Sequence, residues 1–404
     1  MSESTQFGIR NNLFQFMLLV FINGLVGCLI GLERTIIPEF ALQRFGLDGH
    51  GALLSFIIVF GLSKSFTNYF TGKIAERIGK NRVLITGWLI ALPIPILMIY
   101  GEYWWLILVA NILLGVNQGL TWSIAVMMKI DIAGKKDRGF AMGLNESAGY
   151  LCVALMAFLT SYLSETYGVH PYPFYPGLFI VILALGLSIG FVKDTSHFVQ
   201  KESQESTHPL LSRIFRDTTI SHPSLRSVTQ GGLINNFNDG VIWGLLPIYL
   251  TGLDFTLMEV GIIGGLYPAI WGLGQLVTGK LSDHYDKKYL MTLGMILQGI
   301  GIIGFTMPSS FILYCSFSIL IGIGTALVYP TFLSAISAHS HPSQRSEIIG
   351  VYRLWRDLGY VFGALGSILL LSFISMSYTL IFVGIITFLS GWIIWNQFET
   401  SEEI

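Results

Sequence analysis

Apolar residues fall in runs of about 20, the length a helix needs to cross the hydrocarbon core of a bilayer, and short polar breaks separate the runs. Reading on that length predicts twelve helices, near 12–38, 50–72, 83–100, 104–128, 140–166, 175–192, 228–252, 257–279, 290–307, 311–338, 347–374 and 378–396. Gly101-Glu102-Tyr103, Pro308-Ser309-Ser310 and Ser375-Met376-Ser377 carry the residues of tight turns between runs. The first run, Leu13 to Ile30, lacks a small-residue cleavage site and is expected to stay as the first span. The longest polar stretch, Lys193 to Ser227, divides six runs from six. The expected organisation is a six-helix bundle over 1–192, a cytoplasmic linker over 193–227, a second six-helix bundle over 228–396 and a cytoplasmic tail over 397–404. The fold class is all-α and polytopic.

Composition agrees with a lipid solvent. Of 404 residues, 52% are hydrophobic and 12% charged, half the roughly 25% charged fraction of soluble domains. Placing both termini in the cytoplasm leaves only Arg44 of the 23 Lys and Arg residues outside; Arg34, Lys64, Arg353 and Arg356 fall inside spans. Because basic residues in short loops set orientation, the reverse topology violates the pattern. The net charge of −1 hides this asymmetry and by itself says nothing about partners; no nucleic acid is expected as one. Cys28, Cys152 and Cys315 lie in apolar runs without a second ligand at metal spacing, so no metal, cofactor or disulfide framework is expected. The partner that composition implies is the lipid bilayer.

A charged segment occurs twice. Gly72-Lys73-Ile74-Ala75-Glu76-Arg77 follows the second run, and Gly279-Lys280-Leu281-Ser282-Asp283-His284 follows the eighth. With these glycines superposed, other features follow at nearly the same offset: Pro38 with Pro247 at the ends of the first and seventh runs, Asn68 with Gln275, and Gly149-Tyr150 with Gly359-Tyr360. Repeated halves of this kind suit a carrier in which one bundle rocks against the other about a central site.

These segments resemble the signature loop of the major facilitator superfamily, approximately G-x-L-x-D-R-x-G-R-R between spans two and three. Here the first copy reads G-K-I-A-E-R-I-G-K-N-R, with Glu76 in place of Asp, and the second keeps Gly279, Leu281, Asp283 and Lys287-Lys288. The resemblance implies two pseudo-symmetric six-helix bundles working by alternating access. It also implies gate roles for Glu76, Arg77 and Asp283, with the acids latching onto a helix N-terminus, where peptide dipoles favour negative charge. The plainer alternative is a solvated turn that obeys the charge bias.

Ionisable groups within spans cost at least about 2.5–3.5 kcal/mol each and are functional candidates by default. Glu33 and Asp239 occupy near-equivalent places in the first and seventh spans, where proton-coupled members of the family often use an acid. Desolvation there raises a carboxyl into a range where it loads and releases protons. The alternative is an acid reaching water from a helix end, or Glu33 paired with Arg34. Lys64 lies about 12 Å into the membrane from Gly72, and Asn68 shares its helix face; both are substrate candidates, with an ion pair to Glu33 or Glu146 as the alternative for Lys64. In span eleven, Arg353 and Asp357 have the spacing of a helical ion pair, which leaves Arg356 over. Arg356 is then either a gate partner of Glu146 or an anion clamp. Gln230, Asn235, Asn236, Asn238 and Asp239 make span seven polar. These amides either fasten helices or line a wet cavity, and Asn235 and Asn236 are taken as substrate candidates with Gln118 of span four. Asn23, Asn117, Trp122 and Tyr329 are weaker candidates.

No nucleophile–base set or phosphate loop appears, so an enzyme is not expected. The leading expectation is a proton-coupled symporter or antiporter of a small organic anion or zwitterion. The alternative is proton-antiport efflux of drugs or toxic compounds, against which stand the missing glycine–proline signature in span five and Asn111 in place of an arginine.

Overall fold

A computed structural model describes residues 6–34, 36–47, 49–206, 208–255, 257–307 and 310–400, and among these the regular structure is helical throughout. The helices are α1 (Leu13–Arg34), α2 (Ile37–Phe45), α3 (Gly49–Ile78), α4 (Lys80–Ala91), α5 (Pro93–Tyr100), α6 (Trp104–Ala133), α7 (Arg138–Tyr167), α8 (Tyr175–Gly190), α9 (Ser196–Glu205), α10 (Ile214–Arg216), α11 (Pro223–Thr251), α12 (Leu257–His284), α13 (Lys287–Gly304), α14 (Phe311–Ala338), α15 (Arg345–Leu371) and α16 (Met376–Gln397). Among the described residues, nine spans are long and apolar enough to cross a membrane. The helices α3, α11 and α13, of 30, 29 and 18 residues, are also long, so a count of twelve fits.

The chain divides into two compact units. The first holds residues up to Asp137 with Leu144–Ser206; the second holds Arg138–Gly143 and everything from Thr207. One boundary, after Ser206, falls inside the polar stretch 193–227, which carries α9 and α10 and whose last five residues open α11.

Several expected boundaries are corrected. The segment 72–78 is not a loop: α3 continues through it to Ile78, and α12 likewise runs through the second copy to His284. No breaker stands between Gly72 and Gly79, and the turn is made at Gly79, whose φ of +89° belongs to glycine. Pro38 does not end a span but stands in the first turn of α2, where the missing N–H costs nothing. Pro247 lies inside α11, which continues to Thr251; membrane helices tolerate such prolines because neighbours satisfy the freed carbonyl. The third run is split at Leu92–Pro93 into α4 and α5. Most of the expected turn Pro308-Ser309-Ser310, the side chain of Arg34 and the tail beyond residue 400 lie outside the described residues.

The two Gly-Tyr pairs mark the same packing event in each unit. In the first, Gly27 and Gly31 bring α1 against α7 so closely that a methyl group on either would collide with the carbonyl oxygens of Gly149 or Val153. In the second, a methyl on Gly359 or Gly363 of α15 would collide with the carbonyls of Leu233 or Phe237 on α11. Small residues at such crossings replace the hydrophobic drive that lipid cannot supply. Gly27→Ala should therefore cost about 1–3 kcal/mol by overpacking. A lower melting temperature of the purified protein, with Gly186→Ala as the uncrowded control, is the measurement, since nothing stands near a Cβ at Gly186.

Candidate functional site

In the first unit, polar side chains gather where α1, α3, α6 and α7 meet. Lys64 and Asn68 on α3 are buried, and Asn68 accepts a hydrogen bond from the Ser123 hydroxyl of α6. The Lys64 ammonium lies 5.8 Å from the Phe60 ring centre. Glu146 on α7 is fully buried; its Oε1 accepts from the Trp122 indole at 2.9 Å and from the Asn145 amide at 2.8 Å. Asn23 of α1 donates to the Asn145 carbonyl at 2.9 Å, and Trp122 packs edge-on against Tyr150. Gln118 is buried on the same helix as Trp122. Glu33 stands one residue before the end of α1, against Leu29, Leu32, Met98 and Phe174 in a small recess.

At the opposite end of this unit, Lys80 at the start of α4 binds Asp131 of α6 at 2.5 Å, and the Thr195 hydroxyl donates to the same carboxylate oxygen at 2.6 Å. Asp194 accepts from the Asn81 N–H at 3.2 Å and the Ser196 N–H at 2.8 Å. Partial burial opposes the charge of Asp194, but the hydroxyl and N–H of Ser196, with the N–H groups of Asn81 and Lys80, hold its pKa below the ordinary carboxyl value. The expected run at 104–128 stops one residue short of Lys129. Because α6 extends to Ala133, Lys129 is instead fully buried in the helix and donates to the Leu19 carbonyl at 3.1 Å.

The second unit holds a continuous line of buried groups. Asp239, near the middle of α11, is fully buried and accepts a hydrogen bond from the Tyr267 hydroxyl of α12. The Thr325 hydroxyl of α14 donates to the Tyr267 oxygen at 3.5 Å. Tyr267 stacks on Trp271 at 6.0 Å between centres, and Trp271 meets Tyr329 of α14 at 5.3 Å. Arg356 of α15 lies 5.3 Å from the Tyr329 ring and 5.9 Å from the Tyr352 ring, within the range of a desolvated cation–π contact. Sequence reasoning missed Tyr267, Trp271 and Tyr352; the four-residue spacing of Tyr267 and Trp271, which puts both on one face of α12, was the available signal.

The expectation that Arg356 is left over is corrected: Arg356 donates to Asp357 Oδ1 through Nε at 2.8 Å and Nη2 at 2.7 Å. The guanidinium turns back along its own helix and lies near the Tyr329 and Tyr352 rings. Arg353 is buried one turn earlier. Of the span-seven amides, Asn238 donates to Gln298 Oε1 at 3.0 Å, Gln298 donates to Asn235 Oδ1 at 2.9 Å, and Thr387 donates to Asn238 Oδ1 at 2.9 Å. Asn235 and Asn238 thus fasten α11 to α13 and α16, while Asn236, which accepts from Asn235 at 3.3 Å, lies against Gly359 of α15.

Of the expected gate acids, Asp283 accepts from the Gly139 and Phe140 N–H groups at 2.6 and 2.8 Å, on the N-terminus of α7. All of these residues belong to the second unit. Glu76 and Arg77 are exposed on the last turn of α3.

A pH-sensitive fastening lies outside the spans of this unit. The His222 ring packs edge-on to that of His339 at 6.2 Å, and His339 Nε2 bonds the Glu399 carbonyl at 2.8 Å. Glu399 N–H donates to Ser224 Oγ at 3.0 Å. Burial and the neighbouring His339 lower the His222 pKa below 6.5, against the pull of Glu399 and Asp217. A base with a lowered folded pKa contributes stability above its unfolded value, lost as pH falls through the folded one. Melting temperature should therefore drop as pH is lowered below about 6.5, and His222→Asn should flatten that part of the curve.

Two helical units, each burying ionisable side chains in helices of membrane-spanning length, define a multi-pass integral membrane protein with the architecture of a carrier. The chain belongs to the Major Facilitator Superfamily, whose sequence profile matches residues 8–224 and 228–402. It is 22% identical over 351 residues to the multidrug resistance protein MdtG of Escherichia coli strain 55989, covering 84% of each chain. It is also 22% identical over 369 residues to MdtG of Proteus mirabilis strain HI4320, covering 88% of this chain and 89% of the relative. In fold it matches the human organic anion transporter MFSD10 with a TM-score of 0.79 at 13% identity, covering 93% of this chain and 98% of the other. The proton:xylose symporter XylE matches with a TM-score of 0.74 at 14% identity, covering 96% and 97%.

Proposed function

We propose that this transporter is a proton-coupled carrier of a small organic anion or zwitterion, in which Asp239 carries the proton and Arg356 receives the negative group. The observation that carries this reading is the buried line Asp239–Tyr267–Trp271–Tyr329–Arg356. An acid at this depth is costly in its charged form. Protonation removes that cost, so loading and release of a proton can be tied to the state of the site. The aromatic rings offer flat contact for an organic body, while the permanently charged guanidinium draws a carboxylate or sulfonate that competes with Asp357 for it. Lys64, Asn68, Gln118 and Glu146 form the corresponding polar set of the first unit and take part in binding and gating. Asp283 on the N-terminus of α7 acts as a latch, with Glu76 and Arg77 in the related position; both termini face the cytoplasm of a plasma membrane, and the monomer is the working unit.

A second reading, proton-antiport efflux of drugs, is favoured by the relatives named for multidrug resistance and by the same aromatic line. Proteoliposomes separate the two. With an imposed pH gradient, benzenesulfonate, which cannot cross as a neutral acid, should move with protons on the first reading. Movement of ethidium against protons, with no movement of benzenesulfonate, would establish the second; movement of neither would remove both.

A further inference from the structure

An open groove of about 490 Å³ runs between α13 and α16 in the second unit, away from every residue assigned above. Tyr289, Leu293 and Ile296 of α13 and Phe388, Trp392 and Trp395 of α16 line it. Tyr289, Trp392 and Trp395 are 60%, 65% and 41% exposed, an aromatic patch that water would not tolerate and that the rest of the unit does not cover. Its height is set by the helices: Tyr289 is in the first turn of α13 and Trp395 in the last turn of α16. Aromatic residues at helix ends sit where hydrocarbon gives way to headgroups.

Charge selects the occupant. Lys287 and Lys288 open α13, and the Lys288 ammonium lies 5.1 Å over the Trp395 ring, at the mouth of the groove. The one acid adjoining them in the chain, Asp286, is engaged elsewhere: Oδ1 accepts the Lys288 N–H at 2.8 Å and Oδ2 accepts the Thr400 hydroxyl at 3.0 Å. We propose that the α13–α16 groove is a binding site for an anionic phospholipid, with an acyl chain along the aromatic wall and the phosphate at Lys287 and Lys288. A basic mouth on an apolar channel at interfacial depth matches that chemistry at both ends, and the bilayer supplies the ligand without a search through water.

Acyl-brominated phosphatidylglycerol and phosphatidylcholine, which quench nearby tryptophans, provide the test with the full chain reconstituted in vesicles. In wild type, brominated phosphatidylglycerol should reach half-maximal quenching at a mole fraction about fivefold or more below that of phosphatidylcholine, since each basic residue near an anionic surface adds about 1 kcal/mol. The double variant Lys287→Gln, Lys288→Gln should lose that preference with an unchanged gel-filtration profile. Trp392→Phe with Trp395→Phe should lose the phosphatidylglycerol-specific part of the quenching, and inorganic phosphate should leave it undiminished. Equal quenching by the two lipids, or a preference that survives removal of both lysines, overturns the proposal. So does quenching that is displaced by free phosphate, or a groove that neither lipid reaches because a second copy of the chain covers it.

Discussion

Asp239→Asn should abolish proton-driven accumulation of solute while leaving one-for-one exchange of solute across the membrane intact. Asparagine keeps the size of the side chain and its capacity to accept the Tyr267 hydroxyl, so the packing of α11 against α12 survives. It cannot take or release a proton, and the link between the proton gradient and the site is cut. Benzenesulfonate and one proton cross as a neutral pair, so the pH difference alone drives accumulation, about 1.36 kcal/mol or tenfold in concentration ratio for each unit of imposed gradient. The steady-state accumulation of benzenesulfonate should fall by that factor, and counterflow in vesicles preloaded with the unlabelled anion should continue. Loss of both activities together would make Asp239 a structural residue.

The second large effect is expected at Arg356. Arg356→Lys keeps a positive charge beside Asp357, so the buried carboxylate is not stranded, but the ammonium cannot reproduce the two-point contact or the broad stacking on Tyr329 and Tyr352. One charge-assisted hydrogen bond contributes about 1.5–3 kcal/mol. Apparent affinity for an organic anion should therefore weaken by roughly 10- to 100-fold. Counterflow and driven uptake should weaken together, in contrast to Asp239→Asn. An unchanged KM with a lower maximal rate would instead place Arg356 in the gate.

Much of this architecture was legible in the order of residues. The repeated Gly72 and Gly279 put the halves in register, and that register paired Gly149 with Gly359, which the structure shows at matching helix crossings. Periodicity also found the buried charges, because lysine, arginine and acids inside apolar runs stand out whatever their partners are. The partners themselves were not legible. Tyr267 and Trp271 look like ordinary packing residues until α11 and α14 are laid beside α12, and Arg356 meets its chain neighbour Asp357 while its guanidinium lies near Tyr329 of α14 and Tyr352 one turn earlier in α15. Asn235 and Asn238 read as cavity or fastener, and their hydrogen bonds with Gln298 and Thr387, remote in sequence, were not legible. Helix ends were misread for a different reason. Glycine and proline alone do not mark a stop: Pro38 begins a helix, Pro247 is carried within one, and Gly72 lies within α3, which ends before the positive φ of Gly79.

Glu33 and Asp239 also separate once the helices are drawn. Glu33 is at the end of α1, while α11 continues for about three turns beyond Asp239. The two acids are related by the repeat but sit at different distances from their helix ends, and the proton-carrying role is assigned to the deeper one.

Infrared difference spectroscopy of the reconstituted transporter, recorded between alkaline and acidic buffer, tests the central assignment most directly. A protonated-carboxyl band that appears on acidification in wild type and is missing in Asp239→Asn is the result predicted here. The same band at full intensity in Asp239→Asn, but missing in Glu33→Gln, would contradict it and move the proton to the first unit.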